Sequence, residues 1–147
     1  MPRDALARGA LVAALVVRCG ASAVALAEDL PAEFAGRANP LAADAAAGTR
    51  GRALFLDNCA PCHGEAADGR GPASAGLTPP PANLAGPDIV PAHSDAYLFW
   101  RMSVGKRGSA MPSFQHSLSE TERWEIVAYL RSLAERSRIA AKPPGKS

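Results

Sequence analysis

The arrangement of apolar and polar positions divides the chain into unlike stretches. Apolar residues run almost unbroken from Ala10 to Leu26, with Arg18 and Cys19 as the interruption. From Glu28 to Ala47 the chain is Ala-rich, carries Pro31 and Pro40, and shows little periodicity. This predicts a flexible or loosely packed leader, with Asn39-Pro40-Leu41 as a segment that could dock on the domain. Helical spacing begins near Thr49. Gly51 and Phe55, and Leu54 and Asn58, lie one turn apart, which suits a short helix with one apolar face. Between Gly64 and Pro91, Gly64, Gly69, Gly71, Gly76 and Gly86 alternate with Pro72, Pro79, Pro80, Pro81 and Pro87, so irregular backbone is expected. Ser94 to Val104 reads as a second helix, capped by Ser94, with Asp95 in its first turn and Gly105 at its end. Tyr97, Leu98, Arg101 and Met102 recur along it at helical spacing. The last helix opens on the capping box Ser119 to Glu122. Trp124, Val127, Tyr129, Leu130, Leu133 and Ala134 give it an apolar stripe, and Arg131, Arg136 and Arg138 load its C-terminal end. A disordered tail is expected over 137–147.

With 147 residues the chain has room for one domain. Arg3 and Arg8 precede the first apolar run, and Ala25-Leu26-Ala27 has the small-x-small form of a cleavage site. The segment 1–27 therefore reads as a secretory signal peptide, with an uncleaved membrane anchor as the alternative. Arg18 directly before Cys19 speaks against lipid attachment there. The expected organisation is signal 1–27, leader 28–48, domain 49–136 and tail 137–147. The formal charge of +2 falls to zero once the signal is removed, so nucleic acid is not implied as a partner. The charge is unevenly spread: nine acids against four bases from Glu28 to Asp95, then nine bases against four acids. That is either a mixed solvated surface or a dipole that orients the protein on a partner.

The chemistry concentrates in Cys59-Ala60-Pro61-Cys62-His63, a Cys-x-x-Cys-His run with the spacing of a c-type haem attachment site. Two thiols two residues apart can add to the two vinyl groups along one side of a porphyrin. The following His63 then offers a neutral imidazole nitrogen to the iron. Cys-x-x-Cys also serves thioredoxin-like redox proteins, but those expect a preceding strand and a βαβ pattern that this sequence lacks. A zinc site needs four ligands, and His93 and His116 are the nearest further candidates, with no second Cys-x-x-Cys. Of three cysteines, Cys19 goes with the signal, which leaves the pair that a haem would consume and none for a structural disulfide.

Residues 49–136 resemble the small bacterial monohaem c-type cytochromes with an N-terminal Cys-x-x-Cys-His and a methionine ligand. The resemblance rests on that motif, the Gly71-Pro72 turn, the Met111-Pro112 loop and the final aromatic–aliphatic helix. It implies an all-α fold of three to four short helices wrapped around one covalent haem, with first and last helices crossing at Gly51 beside Phe55. It implies that the Pro72 carbonyl accepts a hydrogen bond from His63, and that Met111 is the second axial ligand. A thioether in a stiffened loop suits a soft sixth position. Met102, on an apolar helix, reads as core filler, while His93 and His116 are weaker competitors. The function implied is one-electron transfer by a periplasmic carrier whose contacts with redox partners are small and short-lived. Alternatives are a cytochrome subunit of a periplasmic dehydrogenase or oxidoreductase complex, or a haem peroxidase or gas sensor with an open sixth site.

Overall fold

The computed structural model describes residues 30–142. The expected signal peptide and the last residues of the expected tail lie outside them. Among the described residues there are four helices and no strand: α1 (Ala47–Asn58), α2 (Ala60–His63), α3 (Asp95–Val104) and α4 (Glu120–Ala141).

Helices α1 and α4 form the frame. They cross at Gly51, where a Cβ would stand 1.9 Å from the carbonyl oxygen of Glu125. Only a residue without a side chain lets the two backbones approach this closely. One turn on, Phe55 packs its ring 5.2 Å from that of Tyr129, and both are buried. Arg50 closes the crossing from outside, ion-paired to Glu125 and, at 2.7 Å, to Asp44. Helix α3 lies against α4 through Phe99, whose ring stacks on Trp124 at 4.0 Å. Arg131 adds a polar clamp between them, bonding the Asp95 carboxylate at 2.6 Å and the carbonyls of Val90 and His93.

Both expected caps form. Ser94 Oγ accepts from the Tyr97 amide at 3.2 Å. At α4, Ser119 Oγ accepts from the Glu122 amide at 3.2 Å while the Glu122 carboxylate accepts from the Ser119 amide at 2.8 Å. The Ser119 amide holds the Glu122 carboxyl below its usual range. Helix α4 runs on to Ala141, past the expected end of the domain at Arg136.

The stretch before α1, expected as a loosely packed leader, lies on the domain. Asn39 is buried; its Nδ2 donates to the Trp124 carbonyl at 3.0 Å and its Oδ1 accepts from the Leu41 amide at 2.9 Å. Arg37 pairs with Glu120 and sits 4.7 Å from the centre of the Phe99 ring, with Phe34 nearby. The physical reason is long-range: Phe99, Glu120 and Trp124, the partners on the domain, all lie outside the segment, so its composition does not reveal them.

Candidate functional site: the cleft around Cys59, Cys62 and His63

The haem-type motif comprises Cys59, which joins α1 to α2, and all of α2. The amides of Cys62 and His63 both donate to the Cys59 carbonyl, at 3.1 and 2.8 Å, which makes the motif one tight turn. A helix this short leaves its carbonyls unpaired, and the following loop takes them up. Gly69 donates to His63, Gly71 to Cys62 and Ala73 to Pro61, at 2.8, 3.0 and 2.8 Å. Gly71 is essential to this fit, because a Cβ there would meet the Pro61 carbonyl oxygen at 2.3 Å. The irregular loop thus forms a backbone splint along the motif.

The Gly71-Pro72 turn was expected to supply the carbonyl that orients His63. It does not: His63 Nδ1 lies 2.9 Å from the carbonyl oxygen of Ala82, and Pro72 is exposed and outside the cleft. The splint holds the turn elsewhere, since the amides on either side of Pro72, those of Gly71 and Ala73, are tied to the Cys62 and Pro61 carbonyls of α2. The orienting carbonyl comes instead from the far end of the loop. There Asn83 Oδ1 accepts from the amides of Ala85 and Gly86 at 3.0 and 2.9 Å, a local turn that fixes the peptide ahead of it. A carbonyl only accepts, so Nδ1 carries the proton and Nε2 keeps its lone pair. Burial pushes the His63 imidazole below its ordinary value, against the opposing pull of the Ala82 hydrogen bond. A neutral ring is the form a metal can use.

Cys59, Cys62, His63 and Met111 line one cleft, a predominantly apolar space of about 1250 Å³ that is partly open to solvent. Phe55 of α1, Leu98 and Met102 of α3, and Ile126 and Leu130 of α4 form its depths. Pro79, Pro80 and Pro81 border it. Its lining contains two cations, Arg101 and Lys106. Arg101 donates to the Gly105 carbonyl at 3.1 Å and lies 4.2 Å over the Trp100 ring. His93 does not line the cleft; its Nδ1 is 2.8 Å from the Ile89 carbonyl and its ring stacks on Tyr97 at 4.1 Å. His116 is exposed, beside Gln115.

These surroundings fit a haem and disfavour the other readings of the motif. Burial, with the neighbouring Cys62 thiol second, pushes the Cys59 thiol up to about 12. A dithiol oxidoreductase needs an accessible thiol of low pKa. Among the described residues, no three His, Cys, Asp or Glu side chains gather as a metal-binding cluster, as a four-ligand zinc site would require. A haem is a flat apolar ring with two thiol-reactive vinyls on one side, a metal at its centre and two carboxylates on its edge. The cleft offers an apolar lining, two thiols on one turn, a basic imidazole nitrogen, and two cations for the carboxylates.

An all-α domain that places a single Cys-x-x-Cys-His turn at the mouth of an apolar cleft is a monohaem c-type cytochrome, with haem c bonded through Cys59 and Cys62. Residues 46–130 match the family described as cytochrome c oxidase, cbb3-type, subunit III, and the chain belongs to that family. No curated protein sequence matches it. Among solved structures, it resembles cytochrome CL from the marine methylotroph Methylophaga aminisulfidivorans. The two share 25% identity over 75% of this chain and 78% of that one, with a TM-score of 0.52. A chain of the reducing HAO-like protein complex of Kuenenia stuttgartiensis is also similar, with 26% identity over 59% of this chain and a TM-score of 0.53. The match spans only 43% of that longer chain. The protein is thus an electron-transfer protein that acts with redox partners.

Proposed function

We propose that the protein is an exported, periplasmic one-electron carrier whose haem iron is held between His63 and Met111. The observation that carries this reading is the convergence on one cleft of His63, its Nδ1 tied to Ala82 and its Nε2 free, with a methionine from a separate, well-braced loop. The Lys106 amide donates to the Met111 carbonyl at 3.1 Å, and the Met111 amide donates to Ser109 Oγ at 3.2 Å. Met102 also reaches the cleft, but it is 5% exposed and belongs to the core cluster with Leu98, Phe99 and Ile126. Met111 is half-buried, its side chain free of that packing. When bound, the haem supplies reversible one-electron exchange at its iron, at a potential raised by a thioether ligand.

The residues around it bind, orient and shield. Cys59 and Cys62 tether, Ala82 fixes the His63 tautomer, and the apolar lining excludes water from all but the open side of the cleft. Export is supported by the signal-like sequence of residues 1–27, and no helix among the described residues is long and apolar enough to cross a membrane. A freely diffusing carrier is supported by the surface: Val104 and Ile139 are the exposed large hydrophobics among the described residues. A second reading, a subunit of a stable oxidoreductase complex, is favoured by the family's description and by the Kuenenia complex.

The test is spectroscopic. Purified periplasmic protein should retain haem after denaturation and organic extraction, and its ferric form should be low-spin with the weak red thioether–iron band. Met111→Ala should lose that band while Met102→Leu keeps it. The reverse result would move the ligand to Met102, and a high-spin wild type would favour an open sixth site. The native mass on purification separates carrier from complex subunit.

A further inference from the structure

Beyond Met111 itself, the loop carrying it is held by an unusual polar chain. Helix α3 ends at Val104, and its last carbonyls need partners. The segment leaving the Met111 loop supplies them. The Phe114 amide donates to the Met102 carbonyl at 3.1 Å and the Gln115 amide to the Ser103 carbonyl at 3.2 Å. Ser113 Oγ donates to that same Ser103 carbonyl at 2.6 Å. Ser103 is 1% exposed and is itself pinned. Its hydroxyl donates to the Phe99 carbonyl at 2.7 Å and accepts from Arg123 of α4. Arg123 is a buried cation whose Nε donates to the Ser119 carbonyl at 3.3 Å and whose guanidinium lies 4.7 Å from the Phe99 ring centre. Burying a guanidinium is costly unless it is fully hydrogen-bonded. This one is spent on a point where α3, α4 and the segment leaving the Met111 loop meet.

We propose that Ser113 is a positioning residue for the Met111 thioether, anchored through Ser103 and Arg123 to α4, so that its hydroxyl sets how firmly the thioether stays on the iron. This rests on Met111 being the axial ligand. Only Pro112 separates Ser113 from Met111, so the peptide linking them has little torsional freedom. The splice at 113–115 and the Lys106–Met111 bond grip the loop at both ends. The Ser113 hydroxyl adds a side-chain restraint at the end nearer Pro112, where the amide bonds of Phe114 and Gln115 fix backbone alone. Removing it leaves the fold intact, because Ser113 is exposed and both amide bonds remain.

The experiment compares holoprotein variants by imidazole titration of the ferric form and by the intensity of the thioether–iron band. Imidazole competes with the methionine for iron, so its apparent affinity reports how easily the thioether is displaced. Ser113→Ala should bind imidazole about three- to tenfold more tightly, the range carried by a single lost hydrogen bond, with a weakened band. Ser113→Thr, which keeps the hydroxyl, should restore both. Unchanged imidazole affinity in Ser113→Ala, or failure of Ser113→Thr to restore it, overturns the positioning role. Met111→Ala is run alongside. If it keeps the band, the ligand assignment fails and this proposal falls with it; if it loses the band while Ser113→Ala behaves as wild type, only the positioning role fails.

Discussion

Gly71 and Ala82 carry at the motif what the Gly-Pro turn was expected to carry alone. Gly71 lets the loop lie on α2 with its missing Cβ 2.3 Å from the Pro61 carbonyl oxygen, whereas Gly76, at φ +77°, has nothing within 4 Å of its Cβ position. Gly71→Ala must therefore separate two backbones, at a cost of about 1–3 kcal/mol. Gly76→Ala faces backbone strain only, about 1 kcal/mol, and Pro72→Ala, at an exposed position, stays within about 0.5 kcal/mol of wild type. Guanidinium unfolding of the holoprotein ranks the three, and a Gly71→Ala midpoint no lower than that of Gly76→Ala would refute the splint. The sequence made Cys59, Cys62 and His63 legible because covalent chemistry demands those side chains at that spacing. It did not reveal Ala82, since every residue has a carbonyl and which one meets Nδ1 is decided by the path of the loop 19 residues later. The trace that was there to read is Asn83 after a run of prolines, a turn-former that fixes the preceding peptide.

Among the elements, the helices with strong end signals were read nearly to the residue, as at Ser94 and Ser119. The apolar stripe of α4 was also legible, because burial there follows helical spacing. What escaped was polar burial: Arg123 and Glu125 lie on the inner side of α4 because Ser103 and Arg50 wait there on other helices. A one-helix pattern cannot show a partner supplied from another. The cap of α4 yields a pH prediction. Because the folded carboxyl of Glu122 is held below its ordinary 4.5, the unfolded chain takes up the proton first. The stabilisation from this carboxylate is complete above pH 4.5 and is lost as pH falls through the folded value. The melting-temperature gap between wild type and Glu122→Ala should therefore be widest near neutrality and narrow below pH 4.5. A gap that stays constant from pH 7 to pH 3 would show that charge plays no part in the cap.

Taken as a whole, the molecule's core is built around the cleft, and two unlike things complete its packing. The haem is one. Phe55, Leu98, Met102, Ile126 and Leu130 belong to the core and also line the cleft, so the haem is the partner on which their cleft-facing sides pack. Cys59→Ala/Cys62→Ala protein purified without haem should lose much of its far-ultraviolet helical signal, and full retention of native helicity would contradict a haem-dependent core. The segment before α1 is the other. The sequence suggested a domain starting at 49, but Asn39 is buried against the backbone of Trp124, 85 residues away, and Arg37 lies over the aromatic pair Phe99–Trp124. This strap covers the side of the α3–α4 contact remote from the haem. Its attachment uses the Asn39 bond to the Trp124 carbonyl and the Arg37 cation on aromatic faces, each worth about 0.5–1.5 kcal/mol, beside the Arg37–Glu120 pair. Holoprotein shortened to residues 49–142 should accordingly unfold at a clearly lower denaturant concentration than 30–142, and Asn39→Ala in the longer form should account for about 1–2 kcal/mol of the difference. The spectrum of the haem should be the same in both, since no described residue before Phe55 lines the cleft. Equal midpoints would mean that the strap contributes no net stability, whereas a changed haem spectrum would mean that its influence crosses the α3–α4 layer.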